Sequence, residues 1–570
     1  MYRYACICLI CLVTSTSYAA NLPSFKVVRA QYASSVVNLL DRNGVILNQY
    51  VTHPQQQRLS WVSLNELSPA LVSALLASED QRFYQHQGVD WRAIAGAAWE
   101  NLRHNTHRGA STLTMQLAGL LDPSLSRSVG GRSYGQKWQQ IKAAQQLEKH
   151  WTKAQILEAY LNLVDFRANI IGINAASNAL FDNTPAQSDN NEASILSALL
   201  RGPNAKAKVV AQRACGVAYQ LTHSSANCTE IQKISLAKLN AQPTLNLHPQ
   251  LAPAAARQLL TSAKSNILSS LDYDLQNSLV QQLANIPSAA AVILDNTTAE
   301  ILAYVSTDDT VNQVISPHEN GALLLPFIYA SGITQKQLTA ASILDNTPLI
   351  YNITLPNYLI NTPTPTLVSA RTALANTLTL PAQHVLTQLD RTRWNAQLKS
   401  LKLNASSNTL LTLANAYQML ANQGVYRPAS FHVGGLDVST RVYPSTSSAI
   451  INDILTGNPN TPTYYALITD TSWAIGTNAY YTLALWVANP DDIRNTWLKI
   501  ESHLHLRTPS NPPKLPSKLI KLAIRFEPAI ESPRTELFIS GTEPTVFHPD
   551  YQTNYELFPN SVSPTSAFFE

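Results

Sequence analysis

Two carboxylates in succession, Glu79 and Asp80, close the apolar stretch SPALVSALLASED, and a run of hydrogen-bonding side chains follows in GASTLTMQL, Gly109 to Leu117. A carboxyl group turned inward against apolar neighbours is pushed up by desolvation, which suits it to take a proton from a substrate. Plainer readings exist for each residue. A Glu-Asp pair commonly ends a solvated helix, a lone His86 commonly packs structurally, hydroxyls cap helices and Lys or Arg sits on wet faces. Clustering favours chemistry, because Ser111, Thr112, Thr114 and Gln116 crowd one otherwise apolar stretch.

The elements that must position these groups are helical. Ser68 can cap a helix with Pro69 in its first turn, and Val72, Leu75, Leu76 and Glu79 then share the inward face. A second helix starts at Thr152 with Gln155 completing a capping box, and carries Ile156, Leu157, Tyr160, Leu161 and Val164 as a core stripe. Helical periodicity holds from Ser68 to about Leu200, predicting a mostly α domain over 61–210. Before it, residues 36–51 alternate around Asn43-Gly44 as a hairpin within an N-terminal segment, 21–60. After it, 211–285 reads as a linker region, with a Pro-containing stretch, AQPTLNLHPQLAPAAAR, marking a boundary. AAAVILDNTTAEILAYVS predicts two strands and a turn, and YYTLALWVAN another strand, so 286–505 is α/β or α+β in character. Residues 506–570 are rich in Pro and Ser and predict a poorly regular extension.

A chain of 570 residues is too long for one core, and 45% hydrophobic residues suffice to fill several. The charged fraction of 13% is about half the usual share of roughly 25%, and a net charge of +4 is small, so nothing points to nucleic acid. Arg3, an apolar run to Val13 and small residues Ser17, Ala19 and Ala20 read as an export signal over 1–20, or a short anchor. Cys215 and Cys228 would then remain, as one disulfide or as two buried thiols.

On its motifs the chain resembles the peptidoglycan glycosyltransferases of family 51, the domain found in class A penicillin-binding proteins. ED-x-x-F-x-x-H-x-G-x-D is matched by Glu79, Asp80, Phe83, His86, Gly88 and Asp90, and G-x-ST-x-T-x-Q-L by Gly109, Ser111, Thr112, Thr114, Gln116 and Leu117. Lys137 and Glu148 match a third motif, Lys153, Ile156, Leu157, Glu158, Tyr160, Leu161 and Asn162 a fourth, and Glu192 and Pro203 fall in a closing one. The resemblance is widest to the 1C subgroup and reaches PRTELFISGTEP at Pro533.

It implies a lysozyme-like, mostly α glycosyltransferase domain followed by a penicillin-binding transpeptidase-like domain. Glu79 would be the catalytic base toward the 4-hydroxyl of incoming lipid II. Asp80, Phe83, His86, Ser111, Thr112, Thr114, Gln116, Lys137, Gln140 and Asn162 would bind substrate, a growing glycan chain and its lipid pyrophosphate, on which charge develops as it leaves. A divalent ion, Mg or Mn, is implied as cofactor, and a membrane surface and other wall-synthesis proteins as partners. Three departures weaken the anion site: Gly119 where relatives carry a cation, Gln140 where the broader family has a second acid, and Arg167 for a usual Gly, which could itself contact phosphate.

A transpeptidase needs a nucleophilic Ser, a Lys to activate it, an S-x-N element and a K-T-G strand. GALLLPFIYA puts Ala322 at the Ser and Leu325 at the Lys, Thr377-Leu378-Thr379 stands for S-x-N, and Pro462-Thr463-Tyr464 for K-T-G. The second domain is therefore expected to be catalytically empty. Two other functions stay open: a wall-synthesis scaffold with both halves inactive, and a glycan-cleaving lytic enzyme built on one key Glu.

Overall fold

The structure, a computed structural model, describes residues 22–104, 111–125, 134–261, 263, 265–347, 366–456, 466–509, 514–544 and 546–548. The expected export segment, Gly109 and Pro462-Thr463-Tyr464 lie outside the described residues. The chain divides into two compact units, Met1–Val37 with Val51–His248, and Asn38–Tyr50 with Pro249–Glu570.

The first unit is helical. Ser68 caps the Pro69–Glu79 helix, its side chain accepting from the Leu71 N–H, and Pro69 fills the first turn, where a missing N–H costs nothing. Leu71, Ala74, Leu75 and Ser78 form its buried face, with Val72 and Leu76 only partly covered. Thr152 and Gln155 make the expected capping box of the Lys153–Leu163 helix, whose Ile156, Leu157, Tyr160 and Leu161 are buried. Leu113–Leu121, Tyr134–His150 and Asn190–Leu200 are further helices here. Leu75, Leu113, Leu117, Leu157, Tyr160, Ile195 and Leu196 share one core, and full burial of each such side chain contributes roughly 1.5–3 kcal/mol.

Residues 211–285 are not a linker. The Ala207–Thr222 and Cys228–Leu239 helices bury Val210, Ile231 and Leu239 in the first unit's core. A disulfide joins Cys215 to Cys228 across these two helices, which settles the pairing left open by sequence. The boundary falls at His248–Pro249, inside the Pro-containing stretch, and the Pro253–Leu260 and Tyr273–Leu283 helices belong to the second unit.

The second unit is built on a five-stranded antiparallel sheet in the order Ala466–Asp470, Trp473–Thr477, Tyr481–Val487, Ala289–Asp295, Ile301–Ser306. Ala289–Asp295 and Ile301–Ser306 are the two strands predicted around the DNTTAE turn. The hairpin strands Val36–Leu40 and Ile46–Val51 form as expected, but Val36–Leu40 also pairs with Ile267–Leu268, so most of the hairpin joins this unit instead of an N-terminal segment. The end of the chain is also more regular than its Pro and Ser content predicts. Leu519–Phe526, Arg534–Ile539 and Val546–Phe547 make a three-stranded sheet whose Ile524, Phe526, Phe538 and Phe547 pack with Ala341 and Ile343. Alternating apolar residues and a tertiary partner outweigh the turn-forming composition between the strands.

Candidate active site

Glu79 ends its helix with a side chain only 8% exposed. Gln116, in the Leu113–Leu121 helix, donates its Nε2 to Glu79 Oε2 at 3.0 Å, and Tyr160 donates its hydroxyl to Gln116 Oε1 at 2.9 Å. The direction of this chain is fixed by chemistry: a carboxylate only accepts, so the Gln116 amide must turn its nitrogen to Glu79 and its oxygen to Tyr160. Burial, with the nearby Glu79 charge, pushes the Tyr160 phenol well above its usual range, which keeps the donor proton in place. On the other oxygen, the Ser78 hydroxyl stands 3.3 Å and Arg201 Nε 3.4 Å from Glu79 Oε1.

A second group gathers beside it. Lys137 Nζ donates to Ser111 Oγ at 2.7 Å and to Gln140 Oε1 at 3.3 Å, while Gln140 Nε2 donates to the Met115 carbonyl at 2.7 Å. Ser111, Lys137 and Gln140 thus meet in one place. The fully buried Gln140 amide is spent on helix packing and presents no charge.

Asp80, Phe83, His86, Thr112 and Thr114 brace the site from behind. Asp80 Oδ2 accepts the Leu113 N–H at 3.0 Å at the start of a helix, where a carboxylate is favoured, and His86 Nε2 lies 3.0 Å from Asp80 Oδ1. Thr112 caps the same helix and donates to the Gly88 carbonyl at 2.6 Å. Thr114 donates to Glu148 Oε1 at 2.6 Å, the atom that Lys153 Nζ meets at 2.7 Å, and Lys153 also lies 4.3 Å above the buried Phe83 ring. Gly88 adopts φ +84°, and a Cβ there would stand 2.7 Å from the Ala144 carbonyl oxygen, so only glycine closes this loop onto the Tyr134–His150 helix. Asp90 takes a two-bond fork from Arg82 at 2.8 and 3.1 Å. A cavity of about 830 Å³ lies between this loop and that helix, lined by Arg82, His86, Trp91, Gln145 and Lys149 among others, and Glu79 is not part of its wall.

Two predicted contacts do other work. Asn162 is 2% exposed, and its amide bonds the Val62 N–H and the Val62 and Glu158 carbonyls, bracing the segment before the first helix and leaving the substrate groups. Arg167 donates to the carbonyls of Pro203, Ala205 and Leu239, so its fork is occupied by backbone and the phosphate role suggested for it is not supported. Arg201 escaped the sequence reading because a cation after an apolar helix looks like an ordinary helix C-terminus.

No group of three or more His, Cys, Asp or Glu is placed to hold a metal ion among the described residues. With Gln140 neutral and committed and Lys137 beside it, the donor set does not fit a divalent ion, which asks for several hard oxygen ligands.

In the second unit, Ala322 and Leu325 lie in the helical run Gly321–Leu324 and Leu325–Thr334, at 8% and 5% exposure. The Ala322 N–H donates to Asp470 Oδ2 at 2.7 Å, and the Thr471 N–H to Asp470 Oδ1 at 2.7 Å. Asp470, at the end of an edge strand, is thus brought to Ala322. A Cβ on Gly321 would fall 1.6 Å from that Asp470 oxygen. Thr377 has φ +54° just after the Ala370–Ala375 helix, and Thr379 opens the next, Thr379–Gln388.

The sequence profile of the Transgly family, described as transglycosylase, matches residues 43–222. Penicillin-binding protein 1C of Escherichia coli (strain K12) is 29% identical over 494 residues, covering 75% of this chain and 62% of that protein. A biosynthetic peptidoglycan transglycosylase of Pasteurella multocida (strain Pm70) is 40% identical over 143 residues, 25% of this chain and 56% of that protein. The chain therefore spans about three fifths of the curated relatives' length. The crystal structure of penicillin-binding protein 1A from Haemophilus influenzae matches at TM-score 0.51 and 13% identity, covering 90% of this chain and 99% of that one, a likeness of fold. Residues 43–222 thus match the transglycosylase family, and the chain resembles penicillin-binding proteins, among them the 1C protein of Escherichia coli.

Proposed function

We propose that the first unit is a peptidoglycan glycosyltransferase that polymerises lipid II into glycan strands. The observation that carries this reading is the buried Glu79 carboxylate, aligned by Gln116 and Tyr160. Glu79 takes the proton of the acceptor's 4-hydroxyl as that oxygen bonds to the anomeric carbon of the growing chain. The bond from that carbon to the lipid pyrophosphate breaks, and the leaving group departs with its electron pair. Lys137 and Ser111 supply the charge and hydrogen bonding that stabilise it. A divalent Mg or Mn ion remains part of the proposal only as an ion that would come with the pyrophosphate, and no step is routed through it.

The substrate's polyprenyl tail places the reaction at the outer face of the cytoplasmic membrane. Trp91, Trp99 and Trp138, exposed by 53, 61 and 54%, are suited to an interfacial position, although no helix among the described residues is long and apolar enough to cross a bilayer. The second unit is read as a transpeptidase-like domain without transpeptidase activity, because a methyl and an isobutyl group at 322 and 325 replace the hydroxyl and amine an acyl-enzyme requires. It would serve as a docking module for other wall-synthesis proteins.

One assay decides. Incubation of the purified chain with labelled lipid II, with and without Mg or Mn, is expected to yield polymer. No reaction would favour the scaffold reading, to which the neutral Gln140 and the committed Arg167 lend support, and breakdown of added glycan would favour a lytic enzyme.

A further inference from the structure

Arg201 follows the Asn190–Leu200 helix directly and reaches across to the end of the Pro69–Glu79 helix. One guanidinium nitrogen, Nη2, donates to the Ser78 carbonyl, and another, Nε, stands 3.4 Å from Glu79 Oε1. The Ser78 carbonyl belongs to the last turn of its helix, where backbone acceptors lack helical partners, so the first contact is ordinary helix-end chemistry. The second is not required by the helix. It places a rigid, planar cation on one oxygen of the side chain read as the base.

An ionised carboxylate offers about four acceptor positions. Gln116 takes one on Oε2 and Ser78 one on Oε1, while Arg201 Nε stands 3.4 Å from Oε1 as its ion-pair partner. A position that no described residue fills is one through which a sugar hydroxyl can hand over its proton. We propose that Arg201 is a positioning residue of the transfer reaction: anchored on the Ser78 carbonyl, it fixes the rotation of the Glu79 carboxylate by its charge so that an open lone pair faces the acceptor alcohol. The inference rests on the glycosyltransferase reading above. It makes no use of contact between Arg201 and substrate, although half of the Arg201 side chain is exposed.

The test measures kcat and KM for lipid II polymerisation, with the thermal midpoint, for the full chain and for Arg201→Ala, Arg201→Lys and Arg201→Gln. Misplacing a reacting group by about 1 Å can cost on the order of 10²-fold, and with Gln116 still in place we expect Arg201→Ala to lower kcat roughly 10-fold with KM within about twofold. Arg201→Lys, which keeps a charge but not the two-point fork, recovers part of the loss. If Arg201→Ala fails to fold, the same kcat loss at unchanged KM in the folded Arg201→Gln protein supports the inference equally. A rise in KM at constant kcat would show that Arg201 touches substrate, and unchanged kcat in every variant would show that it does not align the base; either overturns the inference. A wild-type chain that makes no polymer removes the glycosyltransferase reading and the inference with it, whereas an active wild type with indifferent variants removes the inference alone.

Discussion

The two units treat their key polar positions in opposite ways. Around Glu79, two donors and an arginine ion-pair partner hold a buried carboxylate that keeps acceptor capacity open among the described residues, and a phenol kept protonated by burial fixes the orientation of the amide beside it. Around Ala322, the side chains at 322 and 325 carry no heteroatom, and the backbone N–H is already bonded to the Asp470 carboxylate. Both units nevertheless keep packed cores and capped helices. A fold needs apolar volume, caps and satisfied backbone, which many sequences supply. Chemistry needs one heteroatom at one place with its valence left unfilled.

The most severe way to break this contrast is to remove the base. Glu79→Gln keeps the shape and the capacity to accept from Gln116, yet cannot take a proton. General-base loss is typically worth about 10²- to 10⁴-fold, so lipid II polymerisation should fall by that factor with the thermal midpoint nearly unchanged. Polymerisation at the wild-type rate would mean that the acid in this network is not the base. The brace behind the site is tested by Gly88→Ala. A left-handed backbone and a backbone atom 2.7 Å from the new methyl group should together cost about 2–4 kcal/mol. Hydrogen exchange should show faster opening of peptides from Leu113–Leu121 and Tyr134–His150 while the five-stranded sheet of the second unit is unaffected. Equal loosening of both units would mean that they do not fold independently.

How much of this could be read beforehand follows from the range of each signal. Ser68-Pro69 and Thr152-Gln155 are local signals, and both helix starts lie where they predict. The strands around DNTTAE were equally legible, since continuous burial is written as AAAVILD. Residues 211–285 misled because the Ala207–Thr222 and Cys228–Leu239 helices are settled by a tertiary core and a disulfide, neither visible in a window of sequence. The motifs mark Glu79 and Gln116 each as a site residue without pairing them, and Asn162 and Arg167 read as substrate contacts although their partners are mainly backbone groups far along the chain. A polar side chain next to a motif cannot announce which of two acceptors will claim it.

A smaller effect separates the units by pH. Burial pushes the Asp90 carboxyl up, but the Arg82 fork and the Ala93 N–H pull it further down, leaving it below the usual carboxylate range. Asp272 in the second unit is lowered in the same way by Arg507 and the Leu275 N–H against burial. A folded-state value below the unfolded one, about 3.9 for Asp, gives stability that is present above the unfolded value and lost as pH falls through the folded one. Stability should therefore hold from neutral pH down to about 5 and decline toward pH 3. Asp90→Asn should flatten that decline in hydrogen exchange of first-unit peptides and Asp272→Asn in second-unit peptides, each by less than about 1 kcal/mol because the arginine partners are partly exposed. A decline equally steep in both variants would assign acid sensitivity to other groups.

The smallest expected effect is none at all, and it bears most directly on the second unit. Ala322→Ser restores a hydroxyl at the position where the resemblance expects a nucleophile. Acylation would still require an amine to take the hydroxyl proton, and Leu325 has none. It would also require donors for the oxyanion that forms, a role to which the nucleophile's own backbone N–H often contributes. Here the N–H of residue 322 donates to Asp470 at 2.7 Å, so a developing oxyanion would have to displace a carboxylate that is also held by the Thr471 N–H. The expectation is no fluorescent penicillin on the wild-type chain, on Ala322→Ser, or on Ala322→Ser with Leu325→Lys. Adding Asp470→Gly to the double variant frees the N–H and is the only step in the series that could allow a labelled band. A band on the wild type, lost when some other serine is replaced, would move the nucleophile elsewhere. A band on the double variant would show that the Asp470 carboxylate yields its place, and that the contrast between the units rests on two side chains rather than three.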